Sequence, residues 1–118
     1  SLRTIEHWAF MDCSALVEII IPEGITSIDN TTFSGCTSLS KVILPESLKE
    51  IRYGAFADCE SLQKIIIPYN VTYISDNSFE SKNGIIVDFS NGKNSKLTIP
   101  NNKWGARKIL INGIEYTD

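Results

Sequence analysis

The chain has 118 residues, 42% apolar and 21% charged, with a net charge of −3. That length suits one domain of modest size, and that balance excludes an intrinsically disordered chain. The slight acidity leaves no basic footprint for nucleic acid or an anionic membrane, and no apolar run approaches the ~18 residues of a membrane-spanning helix.

The first recognisable stretch is Ala9–Pro22, AFMDCSALVEIIIP. It returns as TFSGCTSLSKVILP at Thr32–Pro45 and as AFADCESLQKIIIP at Ala55–Pro68. The offsets are 32 − 9 = 23 and 55 − 32 = 23, so the period is 23 residues without slippage. Phe10, Phe33, Phe56 and Phe79 form one column, and Cys13, Cys36 and Cys59 another. Leu16, Leu39 and Leu62, Pro22, Pro45 and Pro68, Ile5, Ile28, Ile51 and Ile74, and Leu2, Ile25, Leu48 and Val71 complete the set. A unit this short cannot bury its own apolar face. It has to stack on a copy of itself, and the stacked solution is a solenoid.

Within each unit, Leu62–Pro68 (LQKIIIP) reads as a strand ending at proline, which has no N–H to give the next coil. Leu62, Ile65 and Ile67 are expected to point inward. Leu48-Lys49-Glu50-Ile51 reads as a second short extended stretch on the outer side, and Gly54–Cys59 as a tight helical turn with Phe56 between the two walls.

The fourth copy starts with Val71, Ile74 and Phe79, then departs. Lys82 takes the cysteine position, Ile85 the leucine position and Asn91 the proline position. A strand ending, Lys96-Leu97-Thr98-Ile99-Pro100, comes 100 − 68 = 32 residues after Pro68, which predicts about nine inserted residues with a loop at Ser90–Ser95. Beyond it, Lys108–Ile111, Asn112-Gly113 and Ile114–Thr117 predict a two-residue β-hairpin. Residues 1–83 thus read as three full coils and a partial fourth, and 84–118 as a divergent last coil and cap of the same domain, with Trp104 lying over the last coil or serving as a ligand platform. The N-terminal end shows no cap and no secretory signal, so the chain reads as part of a longer protein.

The A-F-x-x-C and L-x-x-I-x-I-P elements resemble the BspA-type leucine-rich repeat over roughly Leu2–Phe79. The resemblance implies a right-handed, mainly β leucine-rich-repeat solenoid. It would have a parallel concave sheet, short outer strands or helical turns, and a place in cell-surface or secreted proteins that adhere to host or neighbouring-cell proteins.

Candidate chemistry is sparse. Zinc needs four converging ligands, usually in close pairs, whereas the three cysteines stand one per coil. They read as a ladder of buried thiols, with a disulfide between adjacent coils as the other arrangement. His7, the single histidine, has no nucleophile motif beside it. Asp12, Asp58 and Glu60 read as turn residues or caps, and Asn91-Gly92 as a turn outside any strand–helix phosphate-loop setting. Asn30-Thr31-Thr32 and Asn70-Val71-Thr72 match the glycosylation acceptor pattern. No catalytic set, metal set or cofactor pattern emerges.

The most informative positions face outward on the strand. If Ile19 and Ile21 point inward, Ile20 points outward, and Ile43 and Ile66 are its equivalents. Glu18, Lys41 and Lys64 lie two positions earlier on the same face. An isoleucine stripe flanked by a charge row is either a docking surface for a protein or a cross-coil ladder that stabilises itself, and the two are compatible. The function expected is therefore a non-enzymatic protein-binding module, with a spacer segment of a larger surface protein as the alternative. End-to-end self-association through an uncapped first coil is a further expectation.

Overall fold

The computed structural model describes residues 4–5, as backbone, and 10–117. Leu2, the side chain of Ile5, His7 and the expected uncapped N-terminal end lie outside the described residues. Among the described residues ten strands follow one another: β1 (Thr4–Ile5), β2 (Glu18–Ile20), β3 (Ser27–Ile28), β4 (Lys41–Ile43), β5 (Glu50–Ile51), β6 (Lys64–Ile66), β7 (Tyr73–Ile74), β8 (Ile86–Phe89), β9 (Lys108–Ile111) and β10 (Ile114–Glu115). The two-residue strands pair in parallel in the order β1-β3-β5-β7 and make the outer sheet. The longer strands stack on the opposite wall, the concave side of the sequence expectation. The chain is a mainly β solenoid of stacked parallel strands, as its period requires.

The core is the repeat columns seen edge-on. Phe33, Phe56 and Phe79 are buried, with Cys36 and Cys59, Leu39 and Leu62, Ile28, Ile51 and Ile74, and Ile25, Leu48 and Val71 around them. The four phenylalanine rings form one file. Successive centroids lie 5.3, 5.3 and 6.0 Å apart, with interplanar angles of 3°, 5° and 4°. Parallel rings at this separation are offset-stacked, since strands ~4.8 Å apart set the repeat and the rings slide sideways to fit it. In the first described coil, Phe10, Cys13, Leu16 and Ile19 are only partly buried.

The Phe–Cys segment differs from the expected helical turn. It is a run of tight turns, because two positions per coil hold left-handed backbone. Thr31, Gly54 and Asn77 have φ of 55°, 61° and 58°, and Asp12, Gly35 and Asp58 have 61°, 75° and 61°. A helix cannot pass through such residues, whereas Asp, Asn and Gly adopt them at little cost. The turns of neighbouring coils bond to each other: the N–H groups of Phe10, Phe33, Phe56 and Phe79 donate to the carbonyls of Thr32, Ala55, Ser78 and Trp104 at 2.9–3.0 Å. The thiols of Cys36 and Cys59 donate back to the carbonyls of Phe10 and Phe33, both at 3.1 Å.

The fourth coil also differs from expectation. Its wall strand is β8, in parallel register with β6 (Lys64↔Ile86, Ile66↔Asp88), and not the stretch ending at Pro100. Ile85, Val87 and Phe89 point inward and are buried, so the alternation survives the loss of the proline. β9 then adds in parallel to β8 (Ile86↔Lys108), which makes Lys108–Ile111 a further coil strand as well as the first arm of the hairpin. Wall strands begin at 18, 41, 64, 86 and 108, in steps of 23, 23, 22 and 22. No net insertion exists. The path from strand to outer wall is longer in the last coil (97 − 88 = 9 against 71 − 66 = 5), and the return is shorter by the same four residues (108 − 105 = 3 against 86 − 79 = 7). Leu97 occupies the Val71 position, its N–H on Asn94 O as that of Val71 is on Pro68 O.

The hairpin closes the C-terminal side. β10 pairs antiparallel with β9 (Ile114↔Ile111) through a turn with φ of 52° at Asn112 and 83° at Gly113, the doubly left-handed geometry that Asn-Gly favours. Trp104 is buried, with its ring 6.2 Å from Phe89 at 55°, so it is core and its platform reading falls away.

One break interrupts the wall sheet. β2 pairs with β4, and β6 with β8, but β4 and β6 belong to separate sheets. The N–H groups of Ser40 and Ile21 bond across β2 and β4 to Val17 O and Ile43 O at 2.8 and 3.0 Å. Among the described residues, the corresponding N–H groups of Gln63 and Leu44 have no backbone acceptor. The outer sheet stays continuous through the same coils. The charge row explains the direction. Glu18 stands opposite Lys41 where the ladder is closed. Lys64, one repeat on from Lys41, instead pairs with Asp88 of β8 at 3.2 Å, away from β4. Like charges in register oppose strand pairing and unlike charges favour it.

Two outcomes follow. Phe56→Ala should lower unfolding free energy by about 3–5 kcal/mol in denaturant melts, because it empties the middle of the ring file. By hydrogen exchange, the Leu44 amide should exchange at least ~10-fold faster than those of Ile21 and Ile67, the factor that ~1.4 kcal/mol of lost protection represents.

Candidate protein-interaction surface

The alternation of the wall strands sends one row inward and two rows out. Ile19, Val42, Ile65, Val87 and Ile109 are in register, and the last three are fully buried. Ile20, Ile43 and Ile66 face out, with 63%, 43% and 49% of their surface exposed. Glu18, Lys41 and Lys64 make the row beside them, so all six residues singled out in the sequence lie on one face. Isoleucines exposed at the same position of successive coils form an apolar strip, interrupted between β4 and β6.

β8 continues this face with a residue that sequence reasoning passed over. Asp88 takes the isoleucine position, opposite Ile66 on one side and Leu110 on the other. Its side chain is 8% exposed and its Oδ2 accepts from Lys64, while Oδ1 is buried without a hydrogen-bond partner. The signal that would have found it was the 22-residue step, which places position 88 after 66 once proline is no longer required. Beyond it, Lys108 and Glu115 pair loosely at 3.8 Å. Each wall strand thus shows one charged and one apolar outward residue, with their order reversed in β8, where Ile86 precedes Asp88.

The break between β4 and β6 opens a cleft in the strip. Its larger part, about 340 Å³, is lined by Ser40, Lys41, Val42, Ile43, Lys64 and Ile66. A smaller part, about 130 Å³, continues past Leu44 and Glu46 to Pro68 and Asn91, so the acidic side chain lies at the end away from Lys41 and Lys64. Val42 and Leu44 form its floor and retain 8% exposure, against 1% and 0% for Ile65 and Ile67 on the closed side. Among the described residues Lys41 forms no ion pair.

A BspA-type leucine-rich repeat region matches residues 1–102 with six copies. The chain belongs to that family. A leucine-rich repeat protein from Bacteroides capillosus superposes with a TM-score of 0.62 at 36% identity, covering 66% of this chain and 55% of that one. A leucine-rich cell surface protein from Faecalibacterium prausnitzii gives 0.58 at 33% identity, covering 67% and 27%. The T. pallidum leucine-rich repeat protein covers 94% of this chain and 63% of its own length with a TM-score of 0.62, and at 24% identity it shows the fold alone. The chain spans less than two-thirds of the length of each. No curated protein matches it. Membership of a leucine-rich-repeat family makes this a repeat module.

Other chemistry in this BspA-type repeat is structural. Among the described residues no group of three His, Cys, Asp or Glu side chains converges as metal ligands, and no helix is long and apolar enough to cross a membrane. The three cysteines are free; Cys36 and Cys59 are buried and Cys13 is partly buried. Burial pushes the Cys36 thiol up, and it pushes that of Cys59 up to about 12. Asp12 and Asp58 sit at the left-handed turn positions and cap no helix. A raised thiol pKa favours the folded state fully below the ordinary value of 9.0, and the advantage is lost as pH climbs toward about 12. Cys59→Ala should therefore flatten the alkaline fall in stability across that window. In native protein, Cys36 and Cys59 should resist an alkylating reagent until the chain unfolds, as read by mass spectrometry.

Proposed function

We propose that this chain is a non-catalytic protein-binding module of a cell-surface or secreted protein. It adheres to a protein of a host or neighbouring cell through the strip of Ile20, Ile43 and Ile66 with Glu18, Lys41 and Lys64 beside it. The observation that carries the reading is the exposure of those three isoleucines at the same outward position of successive coils, next to inward neighbours that are buried or partly buried. A strand needs β-branched residues on its buried face, yet nothing in coil stacking requires the largest aliphatic side chains on the wet one. The membership of a repeat family and the likeness to a leucine-rich cell surface protein support the setting. An apolar, sparsely charged strip on a rigid sheet suits a pre-formed docking surface, in which little ordering entropy opposes binding.

Ile43→Glu should weaken capture of cell-surface protein by at least about tenfold, because it puts a charge in the middle of the strip. The same exposed substitution should change stability by no more than roughly 0.5 kcal/mol. Immobilised-chain binding and a thermal melt check the two halves. Unchanged capture would remove the strip as the site.

A further inference from the structure

The interaction strip is not uniform, and its one discontinuity has a definite chemistry. β4 and β6 stand side by side without a ladder, so the N–H of the buried Leu44 lacks the backbone acceptor that its equivalents Ile21 and Ile67 have. Buried or half-buried backbone donors are nearly always paired, so an unpaired one at a cleft invites a ligand's acceptor. The cleft floor, Val42 and Leu44, is apolar and reaches the core. The walls are Ile43 and Ile66, and the mouth carries Lys41 and Lys64. Lys64 is held by Asp88, while Lys41 stands opposite Glu18 in the strand register but forms no ion pair among the described residues, which leaves its ammonium available at the mouth.

We infer that this cleft takes an extended segment of the partner in which a large aliphatic side chain lies next to a carboxylate. The inference rests on the strip being the interaction surface, and it adds the partner's chemistry at one point of it. The aliphatic group fills the space between Ile43 and Ile66 and replaces water over Val42. The carboxylate meets the Lys41 ammonium. A carbonyl of the extended backbone meets the free N–H of Leu44. A volume of about 340 Å³ lies within the ~300–1,000 Å³ range of ligand clefts and exceeds the needs of one aliphatic side chain. A cationic segment meets two ammonium groups at the mouth and is rejected, so the cleft selects partners by charge as well as by fit.

The test titrates the isotope-labelled 118-residue chain with three terminally blocked tripeptides, Glu-Leu-Glu, Glu-Gly-Glu and Lys-Leu-Lys, and follows backbone amide signals. Glu-Leu-Glu should shift the signals of Leu44, Gln63 and Ile66, and the other two should bind at least about tenfold more weakly. Lys41→Glu should weaken Glu-Leu-Glu by at least about tenfold and improve Lys-Leu-Lys. Tyr73→Ala, exposed on the outer sheet and away from the strip, should leave Glu-Leu-Glu binding unchanged. Equal binding of all three peptides overturns the inference, as does a response confined to residues away from the cleft, or none at millimolar peptide. If protein capture then still depends on Ile20 and Ile43, the strip survives as the interaction surface and only the cleft's selectivity is lost.

Discussion

Everything in this molecule depends on a contact between coils, not within them. A unit of 23 residues has too little apolar side chain to enclose a core, so each coil becomes stable only against its neighbour. The file of Phe10, Phe33, Phe56 and Phe79 is the clearest expression of that constraint, with nearly parallel rings at close to the strand spacing. Around it run three sets of backbone bonds that cross from coil to coil: the outer sheet, the wall sheet, and the turns where each phenylalanine N–H reaches the next coil's carbonyl. The cysteines belong to this lattice as thiol donors to the previous coil's phenylalanine carbonyl. Their conversion into thiolates is opposed by the same burial that makes them useful as small packers.

The same constraint leaves the wall strand with one face free. Inward positions are committed to packing, so variation in sequence is confined to the outward rows. Isoleucine at three successive coils, then Asp88, then Leu110, makes a strip whose character changes along the stack. The charge row is coupled to how tightly the coils close. Glu18 opposite Lys41 accompanies a complete ladder, whereas Lys64 pairs forward with Asp88 and the ladder behind it is open. The outer sheet remains paired through the same coils and the phenylalanine rings keep their 5.3 Å spacing there, so the opening is confined to the wall strands. Cross-strand charge pairs contribute roughly 0.2–1 kcal/mol, enough to choose between two similar stackings but not to hold a fold together.

A leucine-rich-repeat scaffold does not by itself name a ligand, because function resides in the residues displayed on it. Here the display is a strip with a charge-bordered cleft near its middle, and family membership and the structural likenesses to bacterial leucine-rich repeat proteins agree with an interaction role.

The primary structure alone determined the stacking. Period, phenylalanine file, inward alternation and the outward positions of Ile20, Ile43 and Ile66 all follow from identical side chains recurring at a fixed interval, which only a solenoid can bury together. The Asn112-Gly113 hairpin was legible too, since its turn depends on local backbone preference. The fourth coil was not, because a proline column was used as the marker. Proline only ends a strand, while β8 is held by Ile85, Val87 and Phe89 packing inward. The left-handed turns hid behind a short apolar pattern that a helix would also satisfy. The open ladder beside Lys41, the burial of Asp88 and the cleft between them were decided in three dimensions. They arise from competition among strands more than twenty residues apart, and no single segment carries the outcome of that competition.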